Sequence, residues 1–394
     1  MQTIPVLYGM PASLYTAKVR AYLRKQGIAF EERPAGDPRF RSEVLPKIGR
    51  WIIPVVQMPD GVLLQDGAVI IDYFEAQGLG HGPRALPPDP MLAVLAHVFE
   101  LFGGEGLLRS AMHYRWNFDA ENLDFLRADF GSTLAPGADQ AHQEEVFAAA
   151  SKRMRGATVA FGVNAQTVAA VEAGTLEFLH RFDKHLTHTP YLLGATPTYA
   201  DYGLIAPLFA HLSRDPHPSA LMKKYAPRVW RWVERMNAPN VDADENLGTG
   251  PAWIEAAQDP SLHALMQFIA EDYVPELLAH IEFANEWLAK RPELPAGSNG
   301  CTKPGDRAIG ITQVQWRGQS LDVLVMPYRI FMLQRVQDAA ALLSSEQARQ
   351  LRDLLARTGL SALLELRCRR RVLRQGHFEV WGPDADAPPQ GFTL

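Results

Sequence analysis

The chain has 394 residues, with 39 lysines and arginines against 44 aspartates and glutamates, a formal net charge of −5. With 47% hydrophobic and 21% charged residues it has an ordinary globular composition, and at roughly 100–200 residues per domain its length predicts two or three domains. The mild acidity gives no support to a nucleic-acid-coating role, the apolar runs fall short of the ~20 residues of a membrane span, and the N-terminus lacks a secretory signal pattern. Two cysteines, Cys301 and Cys368, are too few for a disulfide framework or a zinc site and fit a reducing cytoplasm.

The first eighty residues alternate short strands and helices. Residues 4–8 form a short apolar run that Gly9, Met10 and Pro11 break. Ser13 stands at the N-cap of a helix over 14–26, which Gly27 stops. A second strand is expected at 28–32 and a third at 52–58, interrupted by Pro54. Pro59, Asp60 and Gly61 then turn the chain into a strand over 62–65, and a helix follows over 68–76. The order is β-α-β, hairpin, α. Four prolines and three glycines between 78 and 90 mark a linker.

Beyond it the pattern is helical. Met91, Leu95, Val98 and Phe102 form one face of an amphipathic helix; Val168, Val171, Leu179, Phe182 and Leu186 form a second. Leu204, Leu208 and Leu212 form a third, and Leu221, Val229, Val233 and Met236 a fourth, while 131–142 reads as a loop. A boundary is expected at 237–250. The remainder predicts a helix over 260–290, a hairpin of strands 308–316 and 321–326, helices over 328–343 and 347–355, and a strand near 377–381.

Four features carry chemistry. A hydroxyl at a helix N-terminus, as at Ser13, sits among free N–H groups that stabilise an anion. A thiol held there, normally titrating near ~8.5, needs about 2.7 kcal/mol of differential stabilisation to fall by two units. Capping alone also explains Ser13. In Ile53-Pro54 the proline marks either an edge strand or a cis bond that turns the backbone towards an extended ligand. Gln65 and Asp66, between strand and helix, suit a ligand carboxylate and ammonium, and Asp66 also suits a helix cap. Thr198 and Asp201 have capping-box spacing, a structural signature.

In this combination and order, the first 240 or so residues resemble a glutathione S-transferase. The resemblance implies a thioredoxin-like α/β domain over 1–80, an all-α transferase domain over 91–240, and an additional α+β domain over 250–394 that matches no part of the ordinary transferase. It implies glutathione as co-substrate, its sulfur at Ser13, its cysteinyl group along Ile53 and Pro54, and its γ-glutamyl end at Gln65 and Asp66. Asp66 replaces the family's usual Ser, and the usual Lys two positions before the proline is missing; Lys47 or Arg50 then serves the glycyl carboxylate. Tyr8 and Tyr15 are alternative hydroxyl donors. Met10, Tyr15, His113, Tyr114 and Trp116 are the expected electrophile pocket, against a reading of the last three as surface-loop aromatics.

The absence of a cysteine near Ser13 disfavours glutaredoxin-like and thiol-transferase branches. The expected function is attack of the glutathione thiolate on a small hydrophobic electrophile, in conjugation, dehalogenation or ether cleavage. A non-catalytic transferase-fold adaptor and a glutathione-dependent isomerase or lyase are the alternatives. A homodimer is implied; a metal site at His180, His185, His188 and Glu177 is disfavoured by their spacing. The arginines at 367, 369, 370, 371 and 374 read as a solvated face, with an acidic partner as the alternative. Cys368 among them is read as incidental, with a lowered thiol pKa as the alternative, and Cys301 likewise as incidental.

Overall fold

The computed structural model describes residues 3–240, 251–303 and 305–384. Strand β1 (Val6–Gly9), helix α1 (Leu14–Lys25), β2 (Glu31–Pro34), a π-helical turn (Phe40–Val44), α2 (Leu45–Ile48), β3 (Val55–Gln57), β4 (Leu63–Gln65) and α3 (Gly67–Ala76) make the first unit. The sheet order is β2-β1-β3-β4, with β1 parallel to β2 and antiparallel to β3, as a thioredoxin-like fold requires. Gly27 ends α1 at φ +63° and Gly61 turns the hairpin at φ +90°, conformations that glycine adopts without a Cβ clash. The third strand is shorter than expected because Pro54 has no N–H for the ladder, and the Ile53-Pro54 bond is cis.

The helical unit comprises α4 (Pro90–Leu101), a π-helical turn (Phe102–Gly106), α5 (Leu108–Trp116), α6 (Asp119–Leu134), α7 (Gln140–Ala160) and α8 (Val168–His185). It continues with α9 (Tyr199–Pro207), a π-helical turn (Leu208–Ser213), α10 (Pro216–Tyr225) and α11 (Pro227–Asn237). The expected loop at 131–142 shrinks to 135–139. Helix α6 runs on to Leu134, and Asp139 starts α7 by accepting from the His142 N–H at 2.9 Å.

The first helical expectation beyond the linker is corrected. Helix α4 is not amphipathic: Leu92 and every residue from Val94 to Leu101 are buried. The 27-residue helical stretch Pro90–Trp116 is long and apolar enough to cross a membrane, contrary to the reading of short apolar runs, but 83% of its most apolar window lies inside the protein. Its second side is covered by the last part of the chain.

That part contains α12 (Pro260–Asp272), α13 (Val274–Ala289), β5 (Ser298–Asn299), β6 (Gly310–Trp316), β7 (Gln319–Val325), α14 (Pro327–Ala341), α15 (Ser345–Thr358), α16 (Ala362–Glu365), β8 (Arg370–Gln375) and β9 (Phe378–Asp384). Strands β6 and β7 pair as the expected hairpin; β5, β9 and β8 form a three-stranded sheet in that order. The single helix expected over 260–290 breaks at Tyr273, before Pro275 in the first turn of α13, where proline's missing donor is harmless. The expected boundary at 237–250 lies largely outside the described residues.

One apolar cluster runs through all three parts, from Leu7 and Tyr22 through Phe102 and Tyr202 to Leu265, Leu333 and Trp381. Helix α14 lies on α4, and Arg335 reaches through to Asp72 at 2.5 and 3.0 Å and to Glu100 at 3.4 Å. Glu100, fully buried, also takes Lys18 at 2.5 Å and His97 at 2.9 Å. Burial opposes its charge, but Arg335 and Lys18 hold its carboxyl far below the ordinary range.

Candidate functional site

Strand β1 delivers the chain to the first turn of α1 at close quarters. A Cβ on Gly9 would lie 2.3 Å from Thr16 Cγ2, so only glycine lets the strand end there. After the turn through Met10, Pro11 and Ala12, Ser13 caps α1 in an extended conformation, and its Oγ accepts from the Thr16 N–H at 3.2 Å. The carbonyl of Ala12 is held by Arg115 Nη1 at 2.7 Å. Arg115, buried on α5, also pairs with Asp215 at 2.7 and 2.9 Å and donates to the Ala210 carbonyl. This anchor of the Ser13 turn was not expected from sequence; nothing local marks an arginine in His113-Tyr114-Arg115-Trp116 as reaching a loop a hundred positions away.

The three hydroxyl candidates separate cleanly. Tyr8 donates to Gln57 Oε1 at 3.3 Å. Tyr15 donates to Glu105 Oε1 at 2.9 Å, and burial and Glu105 push its phenol well above the ordinary range. Ser13 uses only its acceptor capacity in the capping bond, which leaves its proton to give.

The expected electrophile pocket divides. Met10 and Trp116 are buried in one apolar cluster with Ile52, Ile53, Phe130 and Phe147, which α6 and α7 close. Tyr114 lies two positions before Trp116, about 200° round the helix, and turns away from this cluster, while His113 is taken up by polar partners. His113 bonds Glu172 at 3.0 Å and Asn117 at 2.8 Å, while Tyr114 stacks on Phe118 with ring centroids 5.4 Å apart. The surface-loop alternative does not hold, since all three residues sit on α5 and are buried. An open crevice of about 380 Å³ adjoins the other side of the Ser13 turn, bordered by Gly9, Pro11, Arg20, Glu32, Thr133 and Phe209.

Of the residues expected to hold glutathione's ends, Arg50, Gln65 and Asp66 already have partners in the chain. Lys47 is exposed on α2. Arg50 is buried in a two-pronged pair with Glu379, at 3.0 and 3.2 Å, beneath the Phe378 ring 5.0 Å away. Gln65 receives Arg374 Nη2 on its Oε1 at 2.5 Å and on its carbonyl at 3.3 Å. Asp66, at φ +93°, caps α3 by accepting from Ala68 and Val69 N–H at 2.9 and 3.2 Å. Arg374 also pairs with Glu379. Burial opposes the ionised form of Glu379, yet Arg374, Arg50 and Arg307 hold its carboxyl at about 2.

The arginine run is corrected in part: Arg367 and Arg369 are exposed, as a solvated face requires. Arg370, Arg371 and Arg374 lie on the half-buried strand β8; Arg370 donates to the Leu294 and Gly382 carbonyls, and Arg371 pairs with Asp338. Cys368 does not have a lowered pKa, since burial pushes it up to about 11, as burial and Glu379 push Cys301 up to about 12. His185 is bonded to Ser261 Oγ and the Leu192 carbonyl, at 2.8 and 2.7 Å. Among the described residues no group of three His, Cys, Asp or Glu side chains is arranged to hold a metal ion.

The profile of the glutathione S-transferase N-terminal domain matches residues 7–80, and that of the C-terminal domain matches residues 165–235. The chain belongs to the glutathione S-transferase superfamily. Thr198 and Asp201 form the expected capping box of that helical domain, and Asp201 also accepts from Trp232 Nε1 at 3.1 Å. Similar solved structures include a Ceriporiopsis subvermispora glutathione S-transferase in complex with glutathione, 18% identical over 61% of this chain and 100% of that one, TM-score 0.41. Another is the β-etherase of Sphingobium sp. strain SYK-6, 19% identical over 60% and 96%, TM-score 0.41. A third is a Xanthobacter autotrophicus Py2 glutathione S-transferase, 24% identical over 59% and 93%, TM-score 0.33. No curated protein sequence matches. The transferase profiles leave 236–394 unmatched, and Glu379 and Arg374 both come from that segment.

Proposed function

We propose that this transferase activates the thiol of glutathione for attack on a hydrophobic electrophile. The observation that carries the reading is Ser13: its Oγ caps a twelve-residue helix through its acceptor side, and its proton remains for a sulfur anion. The helix N-terminus adds its own positive potential. The thiol loses its proton to water; the thiolate then forms a C–S bond while the leaving group departs with the electron pair of the broken bond. Ser13 stays protonated throughout and stabilises the sulfur by hydrogen bonding. The crevice beside Gly9 and Pro11 is where we place the electrophile, since Met10 and Trp116 are packed into the core. We further propose a cytoplasmic homodimer.

A second reading, a transferase-fold adaptor without catalysis, draws support from Arg50, Gln65 and Asp66, each of which is bonded within the chain. Glutathione consumption measured over a panel of aryl halides, alkyl halides and aryl ethers separates the two. Glutathione-dependent product with any of them supports the enzyme. Its absence from all three classes, with glutathione at millimolar concentration, rejects the enzyme in favour of the adaptor.

A further inference from the structure

Two residues of the glutathione-binding unit, Arg50 and Gln65, are engaged by one remote hairpin, and the chemistry of each contact matches what a tripeptide thiol would present. Glutathione carries two carboxylates and one ammonium. Arg50 receives a carboxylate, from Glu379. Gln65 receives a cation on both its side-chain and backbone oxygens, from Arg374. Glu379 and Arg374 also neutralise each other, as the opposite charges of one ligand would. All of these side chains are buried or nearly so, so the contacts exclude water from the same surface a ligand would cover.

We propose that the tip of the β8–β9 hairpin, residues 374–379, is a built-in occupant of the glutathione site, and that glutathione enters only when this tip leaves. The inference rests on the reading of Arg50, Gln65 and Asp66 as glutathione-holding residues. Arg50 cannot bind two carboxylates in the same two-pronged geometry, so ligand and tip compete. The hairpin is built for a local departure. Its base is anchored where Val372 exchanges two hydrogen bonds with Gln334 of α14, at 2.8 and 2.9 Å, and where Trp381 stacks on Trp287 at 5.7 Å. The tip beyond it is a tight turn with Gly376 at φ +57°, next to exposed Gln375, and its inward contacts are polar ones to Arg50 and Gln65 together with the Phe378 ring on Arg50. Contacts of that kind open with less free energy than the apolar base. A tethered occupant weakens apparent affinity by the fraction of time the site is free.

The test uses the full chain. Glutathione binding is measured by titration calorimetry for the wild type and for the Arg374→Ala/Glu379→Ala double variant, and amide hydrogen exchange of 370–382 is followed in the wild type with and without glutathione. We expect the variant to bind at least ten times more tightly, and glutathione to accelerate exchange at the tip of the wild type. Equal affinities with unchanged tip exchange overturn the occupant while leaving glutathione binding intact. If neither protein binds glutathione at millimolar concentration, the reading of the site itself falls, and the occupant with it. The exchange measurement needs no variant, so a poorly folded double variant leaves the test decisive.

Discussion

Glu379 grips Arg50 with two hydrogen bonds of 3.0 and 3.2 Å across 329 positions of sequence. The pair joins the last described strand to the loop before Pro54, and so ties a segment outside the transferase profiles to the first, thioredoxin-like unit. Its consequences extend to pH, because the carboxyl is held at about 2 against an ordinary value of 4.5.

A depressed carboxyl stabilises the folded state above its unfolded pKa and loses that contribution as pH falls through the folded one. Glu379 therefore contributes fully above about 4.5, and its contribution disappears towards pH 2. Glu379→Gln should be less stable than wild type at neutral pH, since Arg50 and Arg374 lose their buried counter-ion, and the gap should close between pH 4.5 and 2. Urea unfolding of both proteins across that range checks it; a constant gap would falsify the assignment.

Ser13→Ala should raise the pKa of bound glutathione by one to two units, because a hydrogen bond to a charged group contributes roughly 1.5–3 kcal/mol and one unit is about 1.4 kcal/mol. Turnover at neutral pH should fall by about ten- to a hundredfold and recover at alkaline pH. A pH–rate profile that keeps the wild-type midpoint rejects Ser13 as the thiol's partner.

Gly9→Ala should destabilise the protein by about 1–3 kcal/mol through overpacking, since its Cβ meets Thr16 Cγ2 at 2.3 Å and Oγ1 at 2.7 Å. Thr16→Ala removes both atoms and leaves a 3.1 Å contact to Cβ. The double variant should then be more stable than the sum of the two single effects predicts. Additivity in chemical denaturation would show that the close approach of β1 to α1 is not the cause.

Arg335→Ala should cost about 3–5 kcal/mol, because it leaves Asp72 and the fully buried Glu100 short of a counter-charge. Arg349, exposed on α15 and paired with Glu346, is the control, and Arg349→Ala should leave the unfolding midpoint unchanged. Equal effects for the two would mean that α14 is not anchored by its ion pairs.

Much of the first unit was legible because its determinants are local. A cap at Ser13, a stop at Gly27, a turn at Gly61 and a cap at Asp66 each act within a few residues, and all four stand where expected. The capping box at Thr198 was legible for the same reason. Errors arose where the partner was distant. Helix α4 reads as amphipathic over 91–102 from spacing alone, yet α14 covers its other side. Tyr114 shares a short stretch with Trp116 but not a helix face.

The arginines of β8 show the same division most sharply. By itself the sequence determined the elements of the first unit and the helical caps, because backbone conformation and capping are settled by neighbours along the chain. Which charge meets which was decided only in the tertiary structure. Arg50 with Glu379, Arg374 with Gln65 and Arg335 with Glu100 are pairings of desolvated groups, and their energy depends on burial that no local stretch of sequence encodes.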